Sequence, residues 1–343
     1  MTITKEQVVV VGAGVAGCTA ALEAARRGLT VTLIDEHPQN TTAMSLDAPY
    51  FYGARLAPVL SDEGTIADRV LGSNDLLMDC LEAGVEVLTN TCVWGLFVPG
   101  ANNEHMECSQ VGLADAEKSW MLGFDYLIVA SGARDLVLSF DGWHLPGVLG
   151  AKGATTLLGK YQALGGNQVL ILGSGNLALQ LASQAIEAGV NVVGIVEAAD
   201  EVQGDSVLAG SLKAQGVEVF TGYCIQKTMG VNEVSGAILV PVSDKSLEPV
   251  QITCDTVCMA YGVVPNIELM ASAGGAVDFD AARGGWAPLL SVDFETSLRN
   301  VFVAGDASGV TEAALISPEV SIYQGQRIAA AIAVRERPGG ERD

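Results

Sequence analysis

The sequence predicts an α/β protein built from two Rossmann-like dinucleotide-binding domains, each a three-layer ββα arrangement, with the second inserted in the first. Three observations predict it. A run of β-branched residues, Val8 to Val11, leads straight into Gly12-Ala13-Gly14-Val15-Ala16-Gly17. The same order of apolar strand, glycine turn and helix returns at Gln168 to Leu172 followed by Gly173-Ser174-Gly175-Asn176-Leu177-Ala178. The chain has 343 residues, comfortable for two domains and too many for one ordinary one.

In the first unit the continuous apolar run reads as a buried parallel strand. A helix is expected from Cys18 to Arg27, stopped by Gly28, and a second strand from Thr30 to Ile34, ending at Asp35-Glu36. Each part has a physical task. Gly12 permits the tight turn, Gly14 lets the backbone approach a pyrophosphate, and Gly17 lets helix and strand pack closely. The helix N-terminus presents N–H groups and the positive end of its dipole to phosphate. Asp35 follows at the spacing of an acid that accepts from ribose hydroxyls, on the order of 20 residues after the turn. In the second unit the helix runs to about Ala188 and the strand from Val190 to Val196, closed by Glu197. Ala178 takes the place of the third glycine. No Arg or Lys occurs from Glu197 through Asp205 to neutralise a 2′-phosphate, which favours NAD(H) over NADP(H). A fold kept with an empty site stays open there.

Composition narrows the partners. Forty acidic residues against 18 basic ones give a net charge of −22, a surface that repels nucleic acid and anionic lipid. Hydrophobic residues make up 49% and mean hydropathy is +0.35, which fits an Ala/Val/Gly-rich core or apolar surface covered by partner subunits. The apolar stretches are broken well before the roughly 18 residues of a membrane span, and no signal peptide is read. Seven cysteines without framework spacing suggest reduced thiols and a cytoplasmic protein.

Two such units resemble the two-dinucleotide-binding flavoprotein reductases of the thioredoxin reductase type. Two more segments carry the resemblance. Asp125 to Ala133, with Ser131-Gly132 at its turn, is similar to that family's first crossover, and Thr296 to Gly305-Asp306 to its second FAD motif, in which the terminal acid holds the flavin ribityl chain. Asp255 to Asn266 is similar to the returning crossover. A narrower likeness, in Ser131 to Asp135, Gly142 to Val148 and Gly150-Ala151, is to the nucleotide-binding subunits of hetero-oligomeric amine and amino-acid dehydrogenases: hydrogen cyanide synthase, opine oxidase, D-hydroxyproline dehydrogenase and the sarcosine oxidase alpha subunit. The resemblance implies an FAD domain of residues 1–141 plus 266–335, an NAD domain of 142–265 and a tail of 336–343. Ser317 as a cap with Pro318 at the first position reads as the start of a last helix running to about Arg335, and the resemblance implies that this start lies near the flavin.

The pattern breaks in three places. Such flavoproteins carry Gly-Gly soon after the ribose acid, whereas His37 to Ala43 has no glycine, so FAD could be held differently or replaced by ADP, ATP or NAD. No C-x-x-C occurs, which excludes a dithiol relay. Cys254 and Cys258, read in one strand, would stand about 13 Å apart, too far for a disulfide. Many relatives carry a Cys-rich iron–sulfur domain, and no iron–sulfur spacing is read among the cysteines, so any cluster that takes part is expected from another subunit. The three histidines, His37, His105 and His144, have no metal-ligand spacing, and His144 reads as loop-structuring. Residues 102–106 read as a polar hairpin loop.

The residues expected at FAD are Gly12, Gly14, Gly17, Asp35, Glu36, Ser131, Gly132, Gly305 and Asp306. Those expected at NAD are Gly173, Gly175, Ala178 and Glu197. No catalytic acid or base is read. The function expected is electron transfer within a hetero-oligomeric amine or amino-acid dehydrogenase or oxidase, with other flavin or iron–sulfur subunits as partners. A stand-alone NADH-dependent flavin reductase and a non-catalytic nucleotide-binding scaffold are the alternatives.

Overall fold

The computed structural model describes residues 4–36, 75–100, 106, 108–161, 163–243 and 248–336, apart from the side chains of residues 160, 161 and 316. In chain order the first unit opens with strand β1 (Lys5–Val11), helix α1 (Val15–Arg26), strand β2 (Val31–Ile34), helix α2 (Asp75–Glu82) and strand β3 (Glu86–Leu88). Strands β4 (Cys92–Phe97), β5 (Gln110–Ala114) and β6 (Ser119–Val129) follow, and β7 (Ala133–Asp135) leads out. The second unit runs through β8 (Val148–Gly150), α3 (Ala151–Thr156), β9 (Gln168–Leu172), α4 (Asn176–Glu187), β10 (Asn191–Glu197), α5 (Ser206–Ala214) and β11 (Val219–Thr221). Then come β12 (Tyr223–Met229), β13 (Gly236–Pro241), β14 (Val250–Ile252) and β15 (Thr256–Met259). Strand β16 (Val263–Pro265) leads back to α6 (Glu268–Ser272), β17 (Val277–Asp280), β18 (Gly285–Pro288), β19 (Val301–Val303), α7 (Glu312–Ile316) and α8 (Glu319–Arg335).

In the first unit a parallel array β3-β2-β1-β6-β19 continues through the long β6 into the antiparallel β5 and β4. Both faces of the array are covered, and the period of two along each strand shows it. Val8, Val10, Leu33, Ile128 and Phe302 pack on the side of α1 and α8, whereas Val9, Val11, Leu127, Val129 and Val303 pack toward Leu96, Val111 and Leu113 of the antiparallel strands. Small residues on α1 let α8 come close: a Cβ on Gly325 would lie 2.8 Å from the Ala16 carbonyl oxygen and 2.9 Å from the Ala20 nitrogen. The second unit repeats the plan, with a parallel sheet β11-β10-β9-β15-β8 and a three-stranded antiparallel sheet β12-β13-β14. Val169 and Ile171 face the helices while Leu170 and Leu172 face Ala237 and Leu239 of the antiparallel layer.

Several boundaries differ from the sequence reading. Helix α1 starts at Val15 rather than Cys18, because Gly14 itself is the N-cap. The changeovers between the units fall at Arg134/Asp135 and Val263/Val264 rather than 141/142 and 265/266. The reason is hydrogen bonding: the Asp135 carboxylate accepts from the Lys152 and Gly153 amides (2.7 and 3.1 Å) and Leu136 N donates to Gly262 O, all within the second unit. Cys254 precedes β15 instead of sharing it with Cys258, since Asp255 turns its carboxylate onto the Asn167 and Gln168 amides. Both thiols are buried, and burial pushes Cys258 up to about 12, as expected of a small apolar residue. Ser317 does cap the last helix, its hydroxyl accepting from Glu319 N at 3.2 Å with Pro318 already in helical geometry. The hairpin loop expected at 102–106 falls almost wholly outside the described residues, as do the glycine-free segment 37–43, His37 and His105. No helix among the described residues is long and apolar enough to cross a membrane, and no group of three or more His, Cys, Asp or Glu among them could hold a metal ion.

The C-terminal end of α8 is clasped to the sheet of its own unit. Arg335 makes a two-pronged pair with Glu295 (2.5 and 3.0 Å) and stacks on Phe302, while Glu336 accepts from Tyr126 Oη at 2.9 Å. Burial alone would raise the Glu295 carboxyl; the Arg335 guanidinium, the Asn300 amide and the Arg299 charge together outweigh it and hold the group below its ordinary value. A depressed carboxyl stabilises the fold above its unfolded pKa, about 4.3, and loses that contribution as pH falls through the lower folded value. Glu295→Gln is therefore expected to cost about 1–3 kcal/mol near neutral pH. In urea melts, the gap between variant and wild type should narrow steadily as the medium is acidified below the ordinary carboxylate range; a gap that does not depend on pH refutes the assignment.

Candidate nucleotide-binding sites

The first glycine turn is folded against the end of its sheet. Gly12 N donates to Ile34 O at 2.7 Å, and Gly12 adopts φ +102°, where a Cβ would run into the Ala130 carbonyl. A Cβ on Gly17 would strike the Gly12 carbonyl oxygen. Gly14, by contrast, faces open space and caps α1 with no side chain of its own, and no acid sits in the first turn of the helix. An uncapped helix start whose dipole is not neutralised by an acid suits a diphosphate. The Asp35 carboxylate closes the crevice by accepting from Ala13 N at 2.6 Å, and its backbone is tied to Leu88 and Thr91. Glu36 follows, exposed.

The second turn repeats this geometry. Gly173 N donates to Val196 O at 2.7 Å, Gly173 has φ +102°, and its Cβ would lie 2.7 Å from Ala260 O. Gly175 caps α4 and again faces open space with no acid in the first turn. Ala178 is fully buried, so this turn accommodates the methyl group that the first cannot. Glu197 accepts from Ser174 N (3.0 Å), Ser174 Oγ (2.6 Å) and Ala199 N (2.9 Å). The buried Ser174 hydroxyl in turn accepts from Gln203 N at 2.9 Å. Tyr261, next to Ala260 at this turn, is 37% exposed; partial desolvation and then the Cys224 and Glu197 charges push its phenol up to about 12, so it is a neutral hydrogen-bond donor at neutral pH.

The remaining predicted residues fall in two groups. Ser131 and Gly132 are joined to the returning crossover: Ser131 Oγ donates to Asn266 O (3.0 Å), Asn266 Nδ2 donates to Ser131 O (2.8 Å) and Asn266 N to Gly132 O (3.0 Å). Gly305 and Asp306 form a short 3₁₀ turn after β19. Gly305 packs against Ala16 of α1, so this turn and the start of α1 are neighbours in one unit. His144 is exposed in a loop whose shape is set by backbone bonds from Trp143, Leu145 and Val148 and by Thr228 Oγ1 donating to Gly142 O. Sequence reasoning missed Ser174, Tyr261, Asn266 and Gln324. For Gln324 a signal existed: it shares the i, i+4 stripe of Ile328 and Ile332, the buried face of α8.

The contrast between Gly17 and Ala178 is testable. Gly17→Ala should lower nucleotide retention and the melting temperature of the chain together. Ala178→Gly should cost only about 1 kcal/mol, the helix penalty of glycine; equal effects of the two in thermal melts would refute the close-approach reading.

Comparison with known proteins agrees with this geometry. The chain is 26% identical over 326 residues to a subunit of opine oxidase from Agrobacterium tumefaciens, covering 89% of this chain and 61% of that one. It is 27% identical over 365 residues to a hydrogen cyanide synthase subunit of Pseudomonas aeruginosa, covering 96% and 73%. The chain thus spans less than two thirds of the first of these relatives. Among solved structures the fold matches thioredoxin reductase of T. acidophilum with a TM-score of 0.67 at 19% identity, covering 96% of this chain and 98% of that one. A family model, pyridine nucleotide-disulphide oxidoreductase, matches residues 6–331. With nearly the whole chain covered and both glycine turns in place, the protein belongs to the pyridine nucleotide-disulphide oxidoreductase family, the FAD-binding, NAD(P)-using oxidoreductases.

Proposed function

We propose that this chain is the FAD-carrying electron-transfer subunit of a hetero-oligomeric amine or amino-acid dehydrogenase or oxidase. The observation that carries the reading is the pair of glycine turns, each closed by a carboxylate and each opening an uncapped helix, in a sequence without C-x-x-C. The relatives named as subunits of opine oxidase and hydrogen cyanide synthase support the assembly. In this reading the amide groups at the start of α1 hold the FAD pyrophosphate, Asp35 holds the adenosine ribose, and Asp306 holds the ribityl chain. Gly173, Gly175, Ala178 and Glu197 form the NAD(H) site. When bound, FAD supplies the hydride- and electron-accepting chemistry, and the protein's part is to place and tune it. With no C-x-x-C in the sequence, electrons pass to or from a nicotinamide or a partner's cofactor, and the amine is oxidised on another subunit.

The Glu197 carboxylate explains a preference for NADH over NADPH, because a fixed negative charge at the ribose edge repels a 2′-phosphate and no cation follows it to Asp205. Mass spectrometry of small molecules released from the natively purified chain should report FAD; ADP, ATP or NAD alone would overturn the flavin assignment. Asp35→Ala should reduce the flavin retained. Glu197→Gln should narrow the NADH-over-NADPH preference by about tenfold, equivalent to about 1.4 kcal/mol; an unchanged ratio of kcat/KM values for the two would remove Glu197 from the site. Co-purification with the products of neighbouring genes, and amine oxidation only by the complex, tests the subunit role. Full NADH:acceptor turnover by the isolated chain would favour the stand-alone reductase instead.

A further inference from the structure

The turn that carries Asp306 is held from the inside by one buried polar side chain. Gln324 lies on α8 and is only 8% exposed. An amide buried to that degree is costly unless both of its ends are paired. Both are. Oε1 accepts from Gly305 N at 2.6 Å, and Nε2 donates to Ser308 Oγ at 3.0 Å. The Ser308 hydroxyl in turn donates to Gly305 O at 2.8 Å, closing a ring of hydrogen bonds around the turn. The amide can stand only this way round, since a backbone N–H donates and never accepts. Gly305 N is the opening donor of a 3₁₀ turn, a group that has no partner within the turn itself.

Gln324 also connects two places that a dinucleotide must bridge. Its neighbour Gly325 touches Ala16 and Ala20 of α1, and Gly305 packs on Ala16. The end of the turn is fixed separately: Arg283 Nη2 donates to Ser308 O and to Pro288 O, and Val310 N donates to Arg283 O at 2.9 Å. With its exit secured by Arg283, the entry of the turn is set by Gln324.

We propose that Gln324 is a positioning residue that holds the Asp306 turn in register with the start of α1, so that one ligand spans both. Gln324 touches no cofactor atom in this scheme and acts through the turn. The inference rests on the placement of Asp306 at the flavin half of FAD. It deepens that placement by separating two parts of the binding free energy: the adenosine diphosphate half at α1, and the flavin half at the turn.

The test titrates the full chain with FAD and, separately, with ADP, which carries only the α1 half. Gln324→Met keeps the volume and removes both hydrogen bonds; it is expected to weaken FAD by about tenfold and leave ADP within about twofold. Gln324→Glu keeps an acceptor for Gly305 N but, ionised, cannot donate to Ser308, and should fall between. In an Asp306→Asn background the Gln324→Met effect on FAD should largely vanish. Equal weakening of FAD and ADP would mean that Gln324 is a packing residue, and the proposal would fall; no change in either would also overturn it. If Asp306→Asn itself leaves FAD binding unchanged, the placement of Asp306 is wrong, and the role of Gln324 is lost with it. Should Gln324→Met not fold, the Gln324→Glu and Gln324→Glu/Asp306→Asn pair gives the same discrimination.

Discussion

A single electrostatic constraint recurs in both halves of this molecule: a carboxylate at the end of one strand is drawn onto a backbone amide of the glycine turn beside it. Asp35 takes the Ala13 amide and Glu197 takes the Ser174 amide. The turn itself bends through glycine at φ +102°, a geometry that an ordinary side chain could not share with the carbonyl of Ala130 or Ala260 behind it. The helix that follows each turn starts at a glycine, Gly14 or Gly175, with no side chain to cap its first amides. The acid is thereby a structural brace, and in the proposed function it is also the edge of the ribose pocket. Glu197 shows the tension between the two roles. An ionised carboxylate has about four acceptor positions. Ser174 and Ala199 engage three of those on Glu197, so about one is left for a sugar hydroxyl.

Those braces work because each parallel sheet is covered on both faces. Alternate residues of one strand enter different cores, as Val8 and Val10 do against Val9 and Val11. A strand so enclosed cannot slip by one residue without turning both cores inside out. The ends of β1 and β9, and hence the glycine turns, are fixed in space by the whole layer rather than by local propensity. The close approach of α8 to α1 has the same effect on the Asp306 turn, which has little regular structure of its own.

The parts legible in the sequence were those governed by short-range rules. Consecutive β-branched residues gave the buried strands, and glycines at fixed spacing gave the turns. Ser317 before Pro318 marked the start of the last helix, and the lack of a basic residue after Glu197 bears on the choice of nicotinamide. Each of these depends on residues within about one strand–turn–helix unit, where backbone sterics and the helix dipole leave few alternatives.

The tertiary structure decided what depends on partners distant in the chain. The sequence could not place the changeover at Arg134/Asp135, because it is set by Asp135 reaching the amides of α3 and by Leu136 pairing with Gly262. Nor could it show that Ser131 exchanges hydrogen bonds with Asn266, or that Gln324 closes the turn around Asp306. A buried polar group is stable only where its partners converge, and that convergence is a property of packed elements. The amino-acid sequence by itself determined the two glycine turns, their acids and the strands that feed them. The fold decided which polar side chains hold those turns in place, because hydrogen bonds between residues far apart in the chain exist only after the sheets and helices have closed around them.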